Sequence, residues 1–484
     1  ACNDEVMSAI QNNFIAAPGL FIEAAYGNND STSINYSGTS MATPVISGGL
    51  ALLLSAWDQL TPQEAVAILK ASANRSGIYS DASLYGVGLL DLEAALQPLG
   101  ELKSSASINN TKEQSQNSSA TSPAAYSLND SSLKLPSEFA GLSDLASLKS
   151  VAYFDEYNRD YLVDVSQLIQ VEKQPIVWND FWVNQSLKSS ELELGDMNLM
   201  VNFNPNAPFG FNQLKLHAEN GSLSYQAFSG DNLINQHFLG NTSLFNENNK
   251  KFGQSFSASH KVFQNAALIA SFQDKHFVHQ TNYENLQNDA KPPSSTQYAV
   301  GVDFSVTPNL NLLAASHFTY QNKGFNEANG RGVFNFGENS QTQKNSLAVK
   351  YNINKNLLYG QLNYGSLTDI DAISGSYLEV EDAEFAQLKL GYSHQSSAHT
   401  VWGFETYNNN DLIKANIKLS LPTGMETNGD MHTQVSHFKI KNSLNPDSLQ
   451  WFYKTNLSPS AKLQFNYIAS VDDKGLSLLF KNEF

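Results

Sequence analysis

One serine in this chain stands where its hydroxyl could do chemistry. Ser40 lies in Gly38-Thr39-Ser40-Met41-Ala42-Thr43-Pro44, directly ahead of the apolar run Val45 to Trp57. A serine hydroxyl is a weak nucleophile. Acyl transfer through it needs a base to take its proton and donors aimed at the oxyanion that develops. A place in the first turn of a helix supplies part of this, because the backbone N–H there has no intrahelical acceptor and the dipole end is positive. Gly38 would let the backbone approach a substrate closely, and the small Ala42 leaves room at the helix start. Pro44 falls within the first helical turn, where a missing N–H costs little.

The elements that must hold this turn follow it. Val45 to Trp57 reads as a buried helix, with Gly48 and Gly49 permitting close packing. Thr61-Pro62-Gln63-Glu64 spells a helix start: Thr as N-cap, Pro at the first position, Glu closing a capping box. The run from there through Ala73 is amphipathic at helical spacing.

The heptapeptide around Ser40 resembles the nucleophile motif of the subtilisin-like serine peptidases. Phe14-Ile15-Ala16-Ala17-Pro18-Gly19 followed by Ile22 resembles the strand and turn that lead to it, and Gly86-Val87-Gly88-Leu89-Leu90-Asp91-Leu92-Glu93-Ala94-Ala95 resembles the G-x-G-x-[LIV]-[DN] element closing the catalytic domain. Three motifs in family order, spread over residues 14 to 100, carry the resemblance. It implies an α/β subtilisin-like fold, protein or peptide substrates and no cofactor. Ser40 would be the nucleophile and its own N–H an oxyanion donor, supported by Gly38, Thr39, Met41, Ala42, Thr43 and Pro44. Calcium sites occur in the family, but no ligand cluster is recognisable in this sequence.

The other members of a triad are not in place. Subtilases run Asp, His, Ser along the chain, whereas all ten histidines here lie at or beyond His217, none in a His-Gly-Thr context. Asn3, Asn12 and Asn13 lack the Gly-Asn surroundings of the family's oxyanion asparagine. The expectation is a chain that starts, at Ala1, inside the peptidase domain and downstream of the catalytic Asp and His. Residues 1–100 would then be a C-terminal fragment of that domain, inactive alone.

Composition narrows the rest. The net charge of −17 and pI of about 5.0 argue against nucleic acid, which needs a basic face. Charged residues make up 15%, below the roughly 25% of ordinary soluble domains; Asn, Ser and Gln fill the gap with 11% aromatics. That mixture suits strands facing both water and lipid. Cys2, the one cysteine, excludes an internal disulfide framework. No segment reads as a transmembrane helix, since Val45 to Trp57 is short and carries Ser47 and Ser55.

Residues 101–130 form an expected flexible linker, almost without large apolar side chains from 103 to 125. Residues 131–195 read as a junction. Within it Phe154-Asp155-Glu156-Tyr157-Asn158-Arg159-Asp160-Tyr161 resembles the passenger-to-barrel junction of subtilase autotransporters, its charges expected to be solvated or locally paired. From 196 to 484 the period is two. Tyr298, Val300, Val302, Phe304 and Val306 alternate with Ala299, Gly301, Asp303 and Ser305, and Ile413, Ala415, Ile417, Leu419 and Leu421 with Lys414, Asn416, Lys418 and Ser420. Runs of about ten residues fit tilted strands across a bilayer. Insertions 321–344 and 422–432 read as long polar loops. Leu476, Leu478, Phe480 and Phe484 share one parity, resembling the terminal strand of outer-membrane barrels, whose final aromatic is read by the insertion machinery; Asn482 departs from the pattern.

The fold class expected is therefore multi-domain: the C-terminal part of an α/β subtilisin-like domain, then an all-β domain forming a transmembrane autotransporter-type barrel of twelve strands. The resemblance implies a serine peptidase exported to the surface of a Gram-negative bacterium and anchored in its outer membrane. Its implied partners are lipid and the barrel-assembly machinery. Two alternatives stay open: a non-catalytic outer-membrane barrel with a peptidase remnant, and a soluble subtilase with a β-rich domain. On these expectations Ile417 and Phe465 face lipid, and Lys418 and Gln464 face the lumen or water.

Overall fold

A computed structural model describes residues 10–26, 32–105, 125–172, 188–203, 211–227, 251–277, 294–322, 325, 329–337, 339–371, 373–408, 412–426, 430–457, 461–470 and 474–482. Cys2, Asn3, Phe484 and the 106–124 stretch of the expected linker lie outside these residues. The chain divides into two compact units. One comprises Ala1–Ser132, Ser143–Leu168 and Ser420–Ser436; the other comprises Leu133–Leu142, Ile169–Leu419 and His437–Phe484.

Before residue 188 the described elements are short strands and helices. The strands are β1 (Ile22–Ala25), β2 (Ser33–Tyr36), β3 (Ser132–Pro136), β4 (Val151–Phe154), β5 (Asp160–Val163) and β6 (Ile169–Glu172). The helices are α1 (Thr39–Ala56), α2 (Pro62–Ala71), α3 (Ala82–Tyr85) and α4 (Leu92–Ala95). The α2 start forms as its sequence requires: Thr61 Oγ1 accepts from Glu64 N (3.2 Å), and Thr61 N donates to Glu64 Oε2 (2.8 Å). Leu53, Trp57, Leu60, Ala65, Ile68, Leu69 and Ala95 share one buried cluster.

Strands dominate the remainder. They are β7 (Lys188–Leu194), β8 (Met197–Phe203), β9 (Phe211–Ala218), β10 (Gly221–Ala227), β11 (Lys251–Phe263) and β12 (Ala266–Phe277). Next come β13 (Ser294–Thr307), β14 (Leu310–Asn322), β15 (Asn329–Arg331), β16 (Asn339–Ile353), β17 (Asn356–Ile370) and β18 (Leu378–Ser397). Last are β19 (Thr400–Tyr407), β20 (Leu412–Met425), β21 (Met431–Lys441), β22 (Ser448–Asn456), β23 (Ala461–Ser470) and β24 (Lys474–Asn482). All but β15 belong to a single sheet of seventeen strands, more than the twelve expected.

A broken row accounts for part of the difference. Leu378–Phe385 of β18 ladders with β20, while Lys389–Ser397 ladders with β19. Thus β19 and β20 occupy one place beside β18 in succession. The break falls at Asn408, whose side chain stands in for the missing ladder: Nδ2 donates to Ala386 O (2.9 Å) and Oδ1 accepts from Leu388 N (2.6 Å).

Along most of the sheet the apolar parity is exposed and the polar or small parity is buried. Tyr298, Val300, Val302, Phe304 and Val306 are exposed beside buried Ala299 and Gly301. Leu347, Val349, Tyr351 and Ile353 are exposed beside buried Ser346 and Ala348. The buried face carries polar networks: Ser346 Oγ donates to Asn363 Oδ1 (2.6 Å), Asn363 Nδ2 donates to Gln387 Oε1 (3.0 Å), and Tyr359 Oη donates to the fully buried Glu405, with Lys389 Nζ 4.0 Å from Glu405. Phe465 is half-buried and shares parity with exposed Tyr467, whereas Gln464 shares parity with buried Asn466.

At one end of the sheet this polarity inverts. In β18, Phe385 and Lys389 share parity and are both buried, so the inner face passes from charged to aromatic within four residues. Beyond it Val380, Ala383, Ala415, Ile417 and Leu419 are buried, while the outer face carries Lys414–Glu384 (2.8 Å) and Lys418–Glu379 (2.8 Å). Ile417, expected to face lipid, is instead fully buried in a dry core; the parity is as expected and its direction is reversed. The insertion 321–344, expected to be a polar loop, instead buries Phe325, Val333, Phe334 and Phe336, each at most 2% exposed, with Phe325 against Phe385 of β18. Ile417→Ala therefore costs about 2–5 kcal/mol, the range for a buried aliphatic deletion, and Lys418→Ala costs far less, as urea midpoints of the two variants will report.

Candidate active site

The turn ahead of α1 is tied to the segment before β1. Gly38 caps the helix at φ +151°, a backbone that favours glycine, and its N–H donates to Gly19 O (2.7 Å). Its carbonyl accepts from Met41 N (3.0 Å) and Ala42 N (3.4 Å), which starts the helix. Ser40 is exposed at the second helical position, where a backbone N–H has no intrahelical carbonyl to meet. Pro44 sits inside the helix, and Thr43 Oγ1 donates to Thr39 O (3.1 Å). Thr39 is exposed; Met41 and Ala42 are half-buried.

Gly19 was missed by the motif reading as a positioning residue. A Cβ there would lie 2.8 Å from Gly38 O and 3.2 Å from Ala42 Cβ, so a side chain would push on the turn that holds Ser40. Beside it Phe21 holds a left-handed backbone (φ +57°), its N–H donating to Ser37 Oγ (3.0 Å).

The remaining motifs come together in backbone pairing. Val87 N donates to Phe14 O (2.9 Å), Ala16 N to Gly88 O (2.9 Å) and Leu90 N to Ala16 O (2.7 Å). Gly86, at φ +61°, must be glycine for a second reason: a Cβ would fall 2.2 Å from Phe14 O. Asp91 then caps α4, its Oδ1 accepting from Ala94 N (2.9 Å).

α1 is less buried than its composition leads one to expect. Gly49 and Leu53 are its buried residues, while Leu52 is exposed. With 18 residues at mean hydropathy 1.4, α1 is long and apolar enough to cross a membrane by length and composition. One side of it packs against α2 and α4: a Cβ on Gly49 would lie 2.8 Å from Leu92 Cδ2 and 3.7 Å from Leu69 Cδ1.

The junction motif holds the far end of this unit through a buried ion pair. Arg159, 0% exposed, donates from Nε (2.9 Å) and Nη2 (2.7 Å) to Asp155 Oδ2. It also donates from Nη1 to Ala95 O (2.5 Å) and from Nη2 to Gln97 O (2.9 Å), beyond the end of α4. Its guanidinium lies 4.9 Å from the Trp57 ring centroid and 5.5 Å from that of Tyr161. Burial pushes the Tyr161 phenol above its ordinary range. The pairing is local, as expected; solvated it is not.

Among the described residues no group of three or more His, Cys, Asp and Glu side chains could hold a metal. His432 pairs with Glu426 (3.2 Å), His437 with Glu381 (3.5 Å) and His317 with Ser346 Oγ (2.8 Å).

Residues 6–88 match the Subtilase family profile. Over 83 residues the chain is 39% identical to Subtilisin DY of Bacillus licheniformis.

Residues 6–88 belong to the subtilase family.

This subtilase segment is 17% of the chain and spans 28% of the length of Subtilisin DY. Among solved structures, the chain is similar to the Ralstonia pickettii toluene transporter TbuX (TM-score 0.31, 8% identity, 47% of this chain and 71% of that one). It is also similar to the Pseudomonas putida toluene transporter TodX (TM-score 0.30, 10% identity, 48% and 74%). A third is OmpTΔL8, an outer membrane protein of Vibrio cholerae (TM-score 0.30, 8% identity, 58% and 83%).

Proposed function

We propose that this chain belongs to a serine endopeptidase exported as an autotransporter, its subtilase segment carried by a closed β-barrel in the outer membrane. The observation that carries the membrane half is the inverted polarity of the sheet. From β13 to β17 a row of large apolar side chains such as Val300, Leu312, Leu347 and Leu358 stands exposed, while Ser346, His317 and Gln361 are buried beside Leu313 and Leu357. An exposed apolar band of this kind is penalised by water and favoured by lipid. In lipid every strand edge must be paired, which requires closure.

The peptidase half rests on Ser40. Held at the start of α1 by Gly38 and Gly19, its hydroxyl attacks the peptide carbonyl and forms an acyl-enzyme, while its own N–H donates to the oxyanion. A base must take the hydroxyl proton and return it to the leaving amine. That base and the second oxyanion donor come from the part of the subtilase fold that the 83 matched residues do not cover. The substrates are proteins or peptides, and no nucleic acid binds.

The test has two arms. The chain refolded in detergent should shift in gel mobility on heating, as closed barrels do. It should also fail to label with a fluorophosphonate until the rest of a subtilase domain is supplied. A chain that stays monomeric in plain buffer with β-rich dichroism is a soluble subtilase relative with a sandwich domain. A heat-modifiable chain that never labels, even when completed, is a barrel bearing a peptidase remnant.

A further inference from the structure

Where the sheet inverts, its inner face is not bare. Phe385 on β18 lies 6.1 Å, ring to ring, from Phe325; Phe325 lies 6.4 Å from Phe336, and Phe336 lies 6.1 Å from Phe139. These four rings come from three separate stretches of chain, and each is at most 2% exposed. Backbone pairing holds the stretches together. β3 runs between β6 and β15, with Leu133 paired to Ile169 and Leu135 to Val171. Tyr377 N donates to Val333 O (2.6 Å), and Ser376 Oγ donates to Asn335 O (2.6 Å).

We propose that β3, β6, Phe325 and residues 329–337 form a folded cap that seals one end of the barrel against water and ions. The proposal rests on the membrane-barrel reading. Farther along the same inner face stand Lys389, Glu405 and Gln361, polar groups that are themselves buried, Glu405 paired with Lys389 and Tyr359. At the Phe385 level the lining turns apolar, and the cap supplies apolar side chains of its own to meet it. Leu133, Leu135 and Leu142, which precede the sheet in sequence, are 0–1% exposed. A constriction lined this way excludes water by dewetting, and a filled one does so outright. The charges on the outer face at this level, Glu384 and Glu379 with their lysines, place the cap beyond the apolar belt.

Two measurements on the whole chain test this. The first is conductance of the refolded protein in planar bilayers, comparing wild type with Phe139→Asp and with Phe336→Asp. Wild type should stay silent and the variants should show step currents. The second places a single cysteine at Ala415 (1% exposed) in a Cys2→Ser background and follows a membrane-impermeant maleimide. Labelling should be negligible in the otherwise native chain and near complete with Phe139→Asp. Sustained wild-type currents would overturn the cap. So would variants that remain heat-modifiable yet silent and unlabelled. Loss of heat-modifiability in the wild type itself would instead remove the barrel, and the cap with it.

Discussion

Replacing Ser40 by alanine removes peptide hydrolysis when the rest of a subtilase fold accompanies residues 6–88, with kcat falling on the order of 10⁶-fold. The size follows from how such a site works. A nucleophile and its base act as a unit, so removing either forfeits nearly the whole covalent route, and what survives comes from oxyanion donors and substrate binding. Ser40 is exposed at the open end of α1, and its replacement leaves the Gly38–Gly19 hydrogen bond and the core around Leu53 and Leu69 intact. Folding and export should therefore be unchanged while fluorophosphonate labelling disappears. Gly19→Ala gives the contrasting result. It keeps the hydroxyl but crowds Gly38 O at 2.8 Å, so labelling slows without vanishing. Hydrolysis persisting at wild-type rate in Ser40→Ala would move the nucleophile elsewhere.

What could be read from the sequence, and what could not, divides by range. The Thr61–Glu64 capping box closes within four residues, and its two hydrogen bonds form as spelled. The parity of Tyr298 to Val306 is equally local, fixed by the pleat. Which parity faces the apolar side is not local. Ile413 to Leu421 alternates like 298 to 306, yet Ala415, Ile417, Leu419 and Leu421 are buried; Phe385, on the stretch of β18 that ladders with β20, packs on Phe325, distant in sequence. A signal for this was present. The alternating partners at 298–306 are mostly small, Ala299, Gly301 and Ser305 with one acid, Asp303, whereas at 412–421 they include Lys414 and Lys418, facing Glu384 and Glu379 across the ladder. Paired charges on one face mark that face as wet. Gly19 escaped notice for a related reason: its carbonyl matters only through Gly38, nineteen positions on. The apolar face of α1 was legible as apolar, but what lies against it is a question of the whole fold.

Arg159→Ala should be the most damaging substitution to the stability of the first unit, at about 3–5 kcal/mol, the cost of leaving one partner of a buried pair alone. The guanidinium satisfies three acceptors at once: Asp155 Oδ2, Ala95 O and Gln97 O. Ala95 O ends α4, where helix geometry leaves C=O groups without intrahelical donors, and Gln97 O lies just past it. Alanine would orphan Ala95 O inside a buried cluster and remove the cation–π contact with Trp57, which closes α1. Asp155 would keep backbone donors from Leu99 (3.1 Å), Tyr157 (2.9 Å) and residue 159 itself (3.0 Å), so its carboxylate remains held while the link to α4 is cut. Lysine cannot rescue it, because one ammonium lacks the planar fork that reaches a carboxylate and two carbonyls together. The readout is the urea dependence of proteolysis within residues 10–100 of the folded chain, where Lys70 and Arg75 offer tryptic sites. At about 1–3 kcal/mol/M for small domains, the expected loss lowers the midpoint by at least about 1 M. A shift near zero, with the 188–482 strands unaffected, would mean that the junction motif merely rests on the subtilase segment. The expected shift would mean that the segment folds on the junction, and that residues 155–161 complete the end of the subtilase segment.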